Sequence, residues 1–489
     1  MMEDAKNMDQ IDNENDAGDP SAAKVTSRIA FGSCHKSQKS SVPPIWDTIL
    51  PPIEGDVDNS QQLDAWLWLG DAIYPSHRDP VTNKKYYGPA HPKEIHTSLS
   101  DMKHKNATIG YKGFLERLAS INADKSRPLV TGVWDDHDFG GNDMGSKMPS
   151  KHERREIYEN FLGHPPNRKA RRPWMIEIDH KQNLHNNEGL YHRVDLEGGK
   201  IRVLVLDTRW FREDHCIPSV AQSIPMGNGV ACLTRWLTSG LKLHKLAWLW
   251  GKDRCENAQV LGEEQWAWLE TEILAESIQS PEEAAPELFV VLSSIQVWST
   301  NPLMEGWGHF PKEQERLWNL LKKHYERPVK TIPPAPVLFL SGDVHHGEIS
   351  GQPGYYEVTS SGLTHHCGQH KLYGPVCEPI LQTFTGHRDG LLANGQTQND
   401  HGYYIGLNYG VLEILEEDSI RSVRASIRNT TGNSILEVVQ PLAGYAPVPS
   451  LPPFDQRAHT MDGHLIPYVQ TISLWTLISL ASILFLRSR

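Results

Sequence analysis

The stretch from Val337 to Ile349, VLFLSGDVHHGEI, constrains this chain more than any other. Val337, Leu338, Phe339 and Leu340 form a continuous apolar run, the pattern of a strand buried on both faces. The run stops at Ser341-Gly342, and Asp343, His345 and His346 follow at once. A carboxylate and two imidazoles are thus expected on the turn at the end of a core strand. Open α/β sheets place their ligands at such strand ends. An Asp and a His two residues apart on a turn can both point at one metal ion.

Three further stretches share this build. WLWLGDAIY runs from Trp66 to Tyr74, and PLVTGVWDDHD from Pro128 to Asp138; both stop at acidic residues. RIAFGSC, from Arg28, ends at Cys34. The chain reads as a scaffold that gathers four strand ends. Together they offer Cys34, Asp71, Tyr74, Asp135, Asp136, His137, Asp138, Asn142, Asp143, Asp343, His345 and His346. Any one of these Asp residues is as readily a cap or a turn former; the repeated pattern carries the reading. Mixed O, N and S donors suit one or two metals of intermediate hardness. Two metals about 3.5–4 Å apart clamp the attacking and leaving oxygens of an in-line displacement. One strand-end carboxylate, such as Asp71, can bridge such a pair, and Tyr74 is close enough in sequence to reach the same ion.

Apolar strand candidates recur at 28–32, 66–69, 128–133, 201–206, 288–292, 337–340, 355–359 and 411–415. Helical periodicity lies between some of them, at 263–278 and 311–325. Alternating strands and helices predict an α/β sandwich over 27–440. With 489 residues and 15 Trp the core is ample, and a net charge of −12 without a long basic run argues against a nucleic-acid partner. Six Cys in a chain of this length do not make a disulfide framework. Residues 1–26 form an acidic tail expected to be disordered, with no signal-peptide pattern. Residues 441–467 are a Pro-rich linker. Residues 468–486, from Tyr468 to Leu486, carry no charge and reach about 28 Å as a helix, enough to cross a bilayer core. A transmembrane helix is the expectation; a buried terminal helix and a cleaved lipid-anchor tail are the alternatives. Within an insert at 212–260, Ala231 to Lys252 places Leu233, Trp236, Leu237, Leu241, Ala247 and Trp248 on one helical face. Arg235, Lys242, Lys245 and Lys252 fall on the other. That pattern fits a helix lying in the membrane interface or an insert packed on the domain.

The strings IAFGSC, GDAIY, WDDHD with GGND after it, LDTR, and SGDVHHGE with VTSSGLT after it resemble, in order and spacing over about residues 29–415, the PhoD-type alkaline phosphatases. That family belongs to the calcineurin-like metallophosphoesterase superfamily. The resemblance implies a four-layer metallophosphatase-type α/β sandwich and metal-dependent hydrolysis of phosphate esters, of mono- or diester type. It implies Asp71 as the bridging carboxylate, Tyr74 and Cys34 on iron, and Asp136, Asp343 and His345 as further ligands. His137 takes the place of the proton donor. Asn142 is expected near the second metal and Arg209 near the phosphate. One superfamily His is missing, with Ser294 or Gln296 in its place, which favours a harder second site. The implied cofactors are Fe³⁺ and Ca²⁺, with Mn²⁺ or Zn²⁺ as alternatives. A catalytically silent, membrane-docked binding protein on the same scaffold is the competing reading.

The catalytic domain is expected on the cytosolic side, with a lumenal placement as the alternative. A C-terminal span without a signal peptide predicts a cytosolic catalytic domain. Arg487 and Arg489 beyond the span, and sequons at Asn106 and Asn429, point to a lumenal one.

Overall fold

The computed structural model describes residues 23–36, 45–51, 62–79, 81–104, 110–122, 129–163, 188–240, 257–274, 285–299, 301–327, 333–371, 373–384, 402–444 and 451. The expected membrane span at 468–486 lies outside the described residues, as do most of the 1–26 tail and of the 441–467 linker. Among the described residues no helix is long and apolar enough to cross a membrane.

The strands are β1 (Lys24–Gly32), β2 (Ala65–Leu69), β3 (Leu129–Val133), β4 (His192–Leu196), β5 (Ile201–Val205), β6 (Leu288–Leu292), β7 (Val337–Ser341), β8 (Gly347–Ser350), β9 (Glu357–Ser360), β10 (Tyr403–Tyr404), β11 (Asn408–Glu417), β12 (Ile420–Asn429) and β13 (Ser434–Pro441). The helices are α1 (Ile45–Ile49), α2 (Pro92–His104), α3 (Tyr111–Ile121), α4 (Asp136–Phe139), α5 (Lys151–Leu162), α6 (Gly227–Arg235), α7 (Gly262–Leu274), α8 (Pro311–Glu326) and α9 (Gly374–Phe384). The fold is mixed α/β with two sheets. One has the order β13-β12-β11-β1-β2-β3, the other β10-β8-β9-β7-β6-β5-β4. Strands β1, β2 and β3 run parallel, as do β5, β6, β7 and β9.

Side-chain alternation explains the packing. Trp66 and Trp68 of β2 meet Trp46 of α1, and Phe114 and Tyr111 of α3, edge to face. Val203 and Val205 of β5 and Leu338 and Leu340 of β7 share a core with the first sheet. The opposite faces of the same strands, Leu204, Phe339 and Val337, pack with Trp266 and Leu269 of α7 and Leu317 and Leu321 of α8. Strands buried this way must be apolar at every position, which is why they are such plain runs in the sequence.

Several boundaries differ from expectation. β1 starts at Lys24, three residues inside the expected tail, because Lys24 and Val25 pair with Glu416 and Leu415 of β11. Pro441 closes edge strand β13, where a missing N–H costs no ladder bond. The chain stays docked beyond it: the Leu442 N–H donates to the Arg421 carbonyl at 3.0 Å and that of Ala443 to the Glu287 carbonyl at 3.1 Å. The insert departs from its helical wheel. Arg235, expected on the basic face opposite the apolar one, is buried and donates to both carboxylate oxygens of Asp143 at 3.0 and 2.9 Å, while Leu233 is 49 % exposed. A buried acid elsewhere in the fold outweighs local periodicity. Lys242, Lys245, Trp248 and Lys252 lie outside the described residues.

The cysteines also differ. Cys367 and Cys377 form a disulfide, with Cα atoms 5.9 Å apart, and Cys216 is disulfide-bonded as well. Cys34 and Cys232 are free thiols.

Candidate metal centre

Because β1, β2 and β3 are parallel neighbours, their C-terminal ends lie side by side. β1 runs into Cys34, β2 into Asp71 and β3 into Asp135; β7, from the other sheet, runs into Asp343. The backbone turns sharply at these places. Cys34, Asp71, Asp343 and His345 have φ of 62°, 52°, 72° and 59°. A residue with a Cβ gives up roughly 1–2 kcal/mol in that left-handed region, and such strain concentrates at functional sites.

Two glycines let the strand ends close up. A Cβ on Gly70 would lie 2.3 Å from the Asp135 Cβ. A Cβ on Gly342 would lie 2.5 Å from Ser33 Oγ and 2.8 Å from the Leu69 carbonyl oxygen. Gly342 is where the end of β7 meets the ends of β1 and β2. Gly342→Ala is therefore expected to destabilise the fold by about 1–3 kcal/mol through overpacking and to lower metal content. Denaturant melting beside metal analysis checks both; a variant with unchanged stability would show that the sheets are not in contact here.

The ligand candidates converge. The Tyr74 hydroxyl donates to Asp71 Oδ2 at 2.6 Å and lies 3.1 Å from His345 Nε2. Cys34 Sγ lies 3.6 Å from the same Asp71 oxygen. Ligand atoms of Cys34, Asp71 and His345 all fall within 4.8 Å of one another, as do those of Asp71, Asp135, Asp136 and Asp343, and those of Asp71, Asp136 and His137. Asp71 belongs to each group. Ser361 braces the first: its hydroxyl accepts the His345 N–H at 2.7 Å and sits 3.0 Å from Cys34 Sγ.

The carboxylates lack the partners that burial ordinarily demands. Asp71 Oδ1, Asp135 Oδ2 and Asp136 Oδ1 are shut off from water with no hydrogen bond. Burial, then the charges of Asp136 and Asp135, push Asp71 well above the usual carboxylate range. Burial, then Asp135 and Asp136, do the same to Asp343. Asp135 is pushed up to about 6 by burial, with Arg209 opposing. Burial and then Asp71 also raise Cys34 and Tyr74. A bound cation would favour the charged form of every one of these groups. Burial, then His137, lowers His345 to about 3, which keeps it in the neutral form that ligates metals. The donor set and its orphaned oxygens thus fit a pair of cations: a sulfur, nitrogen and phenol half around Cys34, Tyr74 and His345, and an all-carboxylate half around Asp135, Asp136 and Asp343.

Other expected residues lie elsewhere. Arg209 is fully buried and ion-paired to Asp135 at 2.5 Å and to Glu305 at 2.9 Å. Its guanidinium offsets the cost of burying those two acids. The half-buried Asn142 is held through its backbone N–H, which donates to Gln222 Oε1 at 3.2 Å. Its neighbour Asp143 touches the cluster through its N–H, which donates to Asp136 Oδ2 at 2.8 Å. Asp138 accepts the Ile73 and Asp135 N–H groups, each at 3.1 Å, and so caps α4. His346 turns to Glu348 at 3.0 Å. Of Ser294 and Gln296, Ser294 touches the site, donating to Asp135 Oδ1 at 2.6 Å.

Glu305 was not visible in the sequence. It lies in an irregular loop with no periodic signal. Asp136, Asp143 and Glu305 also bring ligand atoms within 4.8 Å. This trio is already neutralised, with Arg235 on Asp143 and Arg209 and Arg212 on Glu305. Burial would raise Asp143, but Arg235 overrides it and holds the carboxyl well below its usual range.

Among the distant likenesses to solved structures are two. One is a structure of PhoD, 16 % identical, matched over 93 % of this chain and 79 % of that one with a TM-score of 0.45. The other is GAP50, the anchor in the inner membrane complex of Plasmodium, 9 % identical, over 89 % of this chain and 93 % of that one with a TM-score of 0.36. At those scores neither carries an argument. No curated protein matches. The PhoD-like phosphatase family model matches residues 54–363, more than half of the chain. The match takes in Asp71 through His345 and begins after Cys34, whose place in the site therefore rests on its geometry. By that match the chain belongs to the PhoD-like phosphatase family and is a phosphoric ester hydrolase.

Proposed function

We propose that this chain is a membrane-anchored phosphatase that hydrolyses phosphate esters by water attack at a two-metal centre, on a four-layer metallophosphatase-type sandwich. The observation behind the reading is the convergence of three orphaned carboxylate oxygens, on Asp71, Asp135 and Asp136, in one buried pocket beside Cys34, Tyr74 and His345. Cys34, Tyr74, His345 and Asp71 would hold Fe³⁺, the ion that phenolate and thiolate favour. Asp71, Asp135, Asp136 and Asp343 would hold Ca²⁺, which takes oxygen ligands. Such ions polarise a phosphoryl oxygen and lower the pKa of a water.

The chain's own residues do the rest. Asp71, shared by both halves, fixes their spacing. His137 stands at the opening, its side chain 20 % exposed and its Nε2 3.9 Å from Asp136 Oδ1. Its ring lies over Tyr74 with centroids 4.2 Å apart. There it can hand a proton to the departing ester oxygen. His137→Ala is expected to lower turnover about 10²–10⁴-fold while metal content stays unchanged. Loss of metal in that variant would instead make His137 a ligand. The wider test is elemental analysis of the purified chain beside hydrolysis of a chromogenic monoester and diester. A metal-free, inactive protein would end the reading.

Residues 468–486 supply the anchor in this proposal, on the strength of their uncharged length. Removing them should release the enzyme from membranes. The disulfides favour the lumenal alternative, since such bonds persist in oxidising compartments. The sequon at Asn429 sits on the turn between β12 and β13, where the Asn429 Oδ1 accepts the Thr431 N–H at 3.0 Å. A mobility shift on glycosidase treatment is the expected result; a cytosolic, unglycosylated chain would overturn the lumenal placement.

A further inference from the structure

The floor of the metal pocket is acidic, and basic side chains stand around its half-buried edge. Cys34, Asp71, Asp135 and Asp136 are buried, whereas Asp343, Tyr74, His137, His345 and His365 are half-buried and Lys36 is exposed. The arginines nearest the cluster do not reach this edge: Arg209, Arg212 and Arg235 have side chains 0 %, 1 % and 8 % exposed and are ion-paired to acids. Lys36 lies at the surface, with its Nζ 5.7 Å from the centre of the Tyr74 ring. The ring of His365 lies 4.4 Å from that of His345 and 5.0 Å from that of Tyr74, centroid to centroid.

The backbone fixes Lys36 and His365 as a pair. Past the ends of β1 and β9 the two chains continue side by side, bridged at Ser33 and Ser361. The N–H groups of Leu363 and Thr364 donate to the carbonyls of Ser33 and Cys34 at 3.2 and 3.4 Å. The Thr364 hydroxyl then accepts the Lys36 N–H at 2.5 Å and lies 3.5 Å from His365 Nδ1. One threonine so ties both residues to the strand end that carries Cys34. From the far side the Cys367 N–H donates to the His345 carbonyl at 2.9 Å, and the Cys367–Cys377 disulfide holds that turn to α9.

We propose that Lys36 and His365 form a clamp for a terminal phosphate group, and that this clamp makes the enzyme select phosphomonoesters over phosphodiesters. The inference rests on the functional reading above and adds the substrate class to it. A monoester presents three non-bridging oxygens and up to two negative charges; a diester presents two oxygens and one charge. Two oxygens meet the floor in either case. Only the monoester leaves a third, charged oxygen to face donors at the rim, and only there do Lys36 and His365 gain charge-assisted hydrogen bonds. A diester puts a second carbon substituent in the same place and offers the lysine no third oxygen.

The test uses the metal-loaded full chain. Lys36→Met, Lys36→Arg and His365→Gln are compared with wild type for kcat/KM on an aryl monoester and the matching diester. Binding of inorganic phosphate is measured by calorimetry, and metal content is measured in each preparation. The wild type is expected to prefer the monoester. In Lys36→Met and His365→Gln the monoester-to-diester ratio should fall roughly tenfold to a hundredfold, phosphate should bind more weakly, and metal content should not change. Lys36→Arg should restore most of the ratio. Equal losses on both esters, or an unchanged ratio, would overturn the clamp. Should the wild type hydrolyse neither ester, the functional reading fails; phosphate binding, weakened or not in the variants, still decides whether Lys36 and His365 hold a phosphate.

Discussion

Asp71→Asn is expected to remove metal and activity together, with turnover falling by about 10³-fold or more. Asparagine is the informative substitution, because Asp71 has φ 52°. Asparagine tolerates that left-handed conformation, whereas alanine adds backbone strain that would confuse the result. The amide would keep the side chain's size and one acceptor oxygen but lose the charge. The consequence is large because Asp71 is the residue common to the three ligand groups that flank the opening. Removing its charge takes an anionic donor from both halves at once. It also relieves Asp136, Asp135, Asp138 and Asp343, whose repulsion raises Asp71 in the absence of a cation. The metal-free variant should therefore be no less stable than metal-free wild type, while the metal-loaded wild type outlasts both in a thermal melt. Elemental analysis and a melt with and without added metal check this. An Asp71→Asn protein that kept both metals and stayed active would remove Asp71 from the centre of the site.

The strand ends were legible because each is a short apolar run cut off by a charged residue, and a doubly covered strand cannot be written otherwise. Asp71, Asp136, Asp343 and His345 could be read from that pattern and from the family strings together. Other parts had signals that point the wrong way when read locally. β12 alternates as a half-buried strand should, but its inward positions include Arg421 beside Val423, Ala425 and Ile427. Arg421 becomes intelligible only in the fold, where it pairs with Glu197 and Glu287. Arg235 is the same case on a helix: its charge placed it on the basic face, and its partner Asp143 lies far away in sequence. Glu305 had no periodic neighbours and is defined by two arginines that arrive after β5, Arg209 and Arg212. Cysteine count alone did not reveal the Cys367–Cys377 bond, because pairing is a property of approach in space.

Arg209→Met separates two roles that sequence alone merges. A guanidinium contacting phosphate would lose substrate affinity when replaced, with the fold intact. The structure instead buries Arg209 completely between Asp135 and Glu305, with Nε 2.7 Å from Asp135 Oδ1 and Nη1 2.9 Å from Glu305 Oε1. Methionine fills similar space and leaves Asp135 without its cation and Glu305 with Arg212 alone. Breaking a buried pair from one side ordinarily destabilises by about 3–5 kcal/mol, since the abandoned charge stays desolvated. The expected result is a large fall in the denaturation midpoint, with KM for a phosphate ester little changed in whatever folded fraction remains. Arg209→Lys should recover only part of the stability, because an ammonium does not present two edges to two carboxylates. Added metal should stabilise the variant as well, by binding Asp135 from the other side, so the loss should shrink as metal is raised. A variant of wild-type stability with a sharply raised KM would put Arg209 back in contact with the substrate.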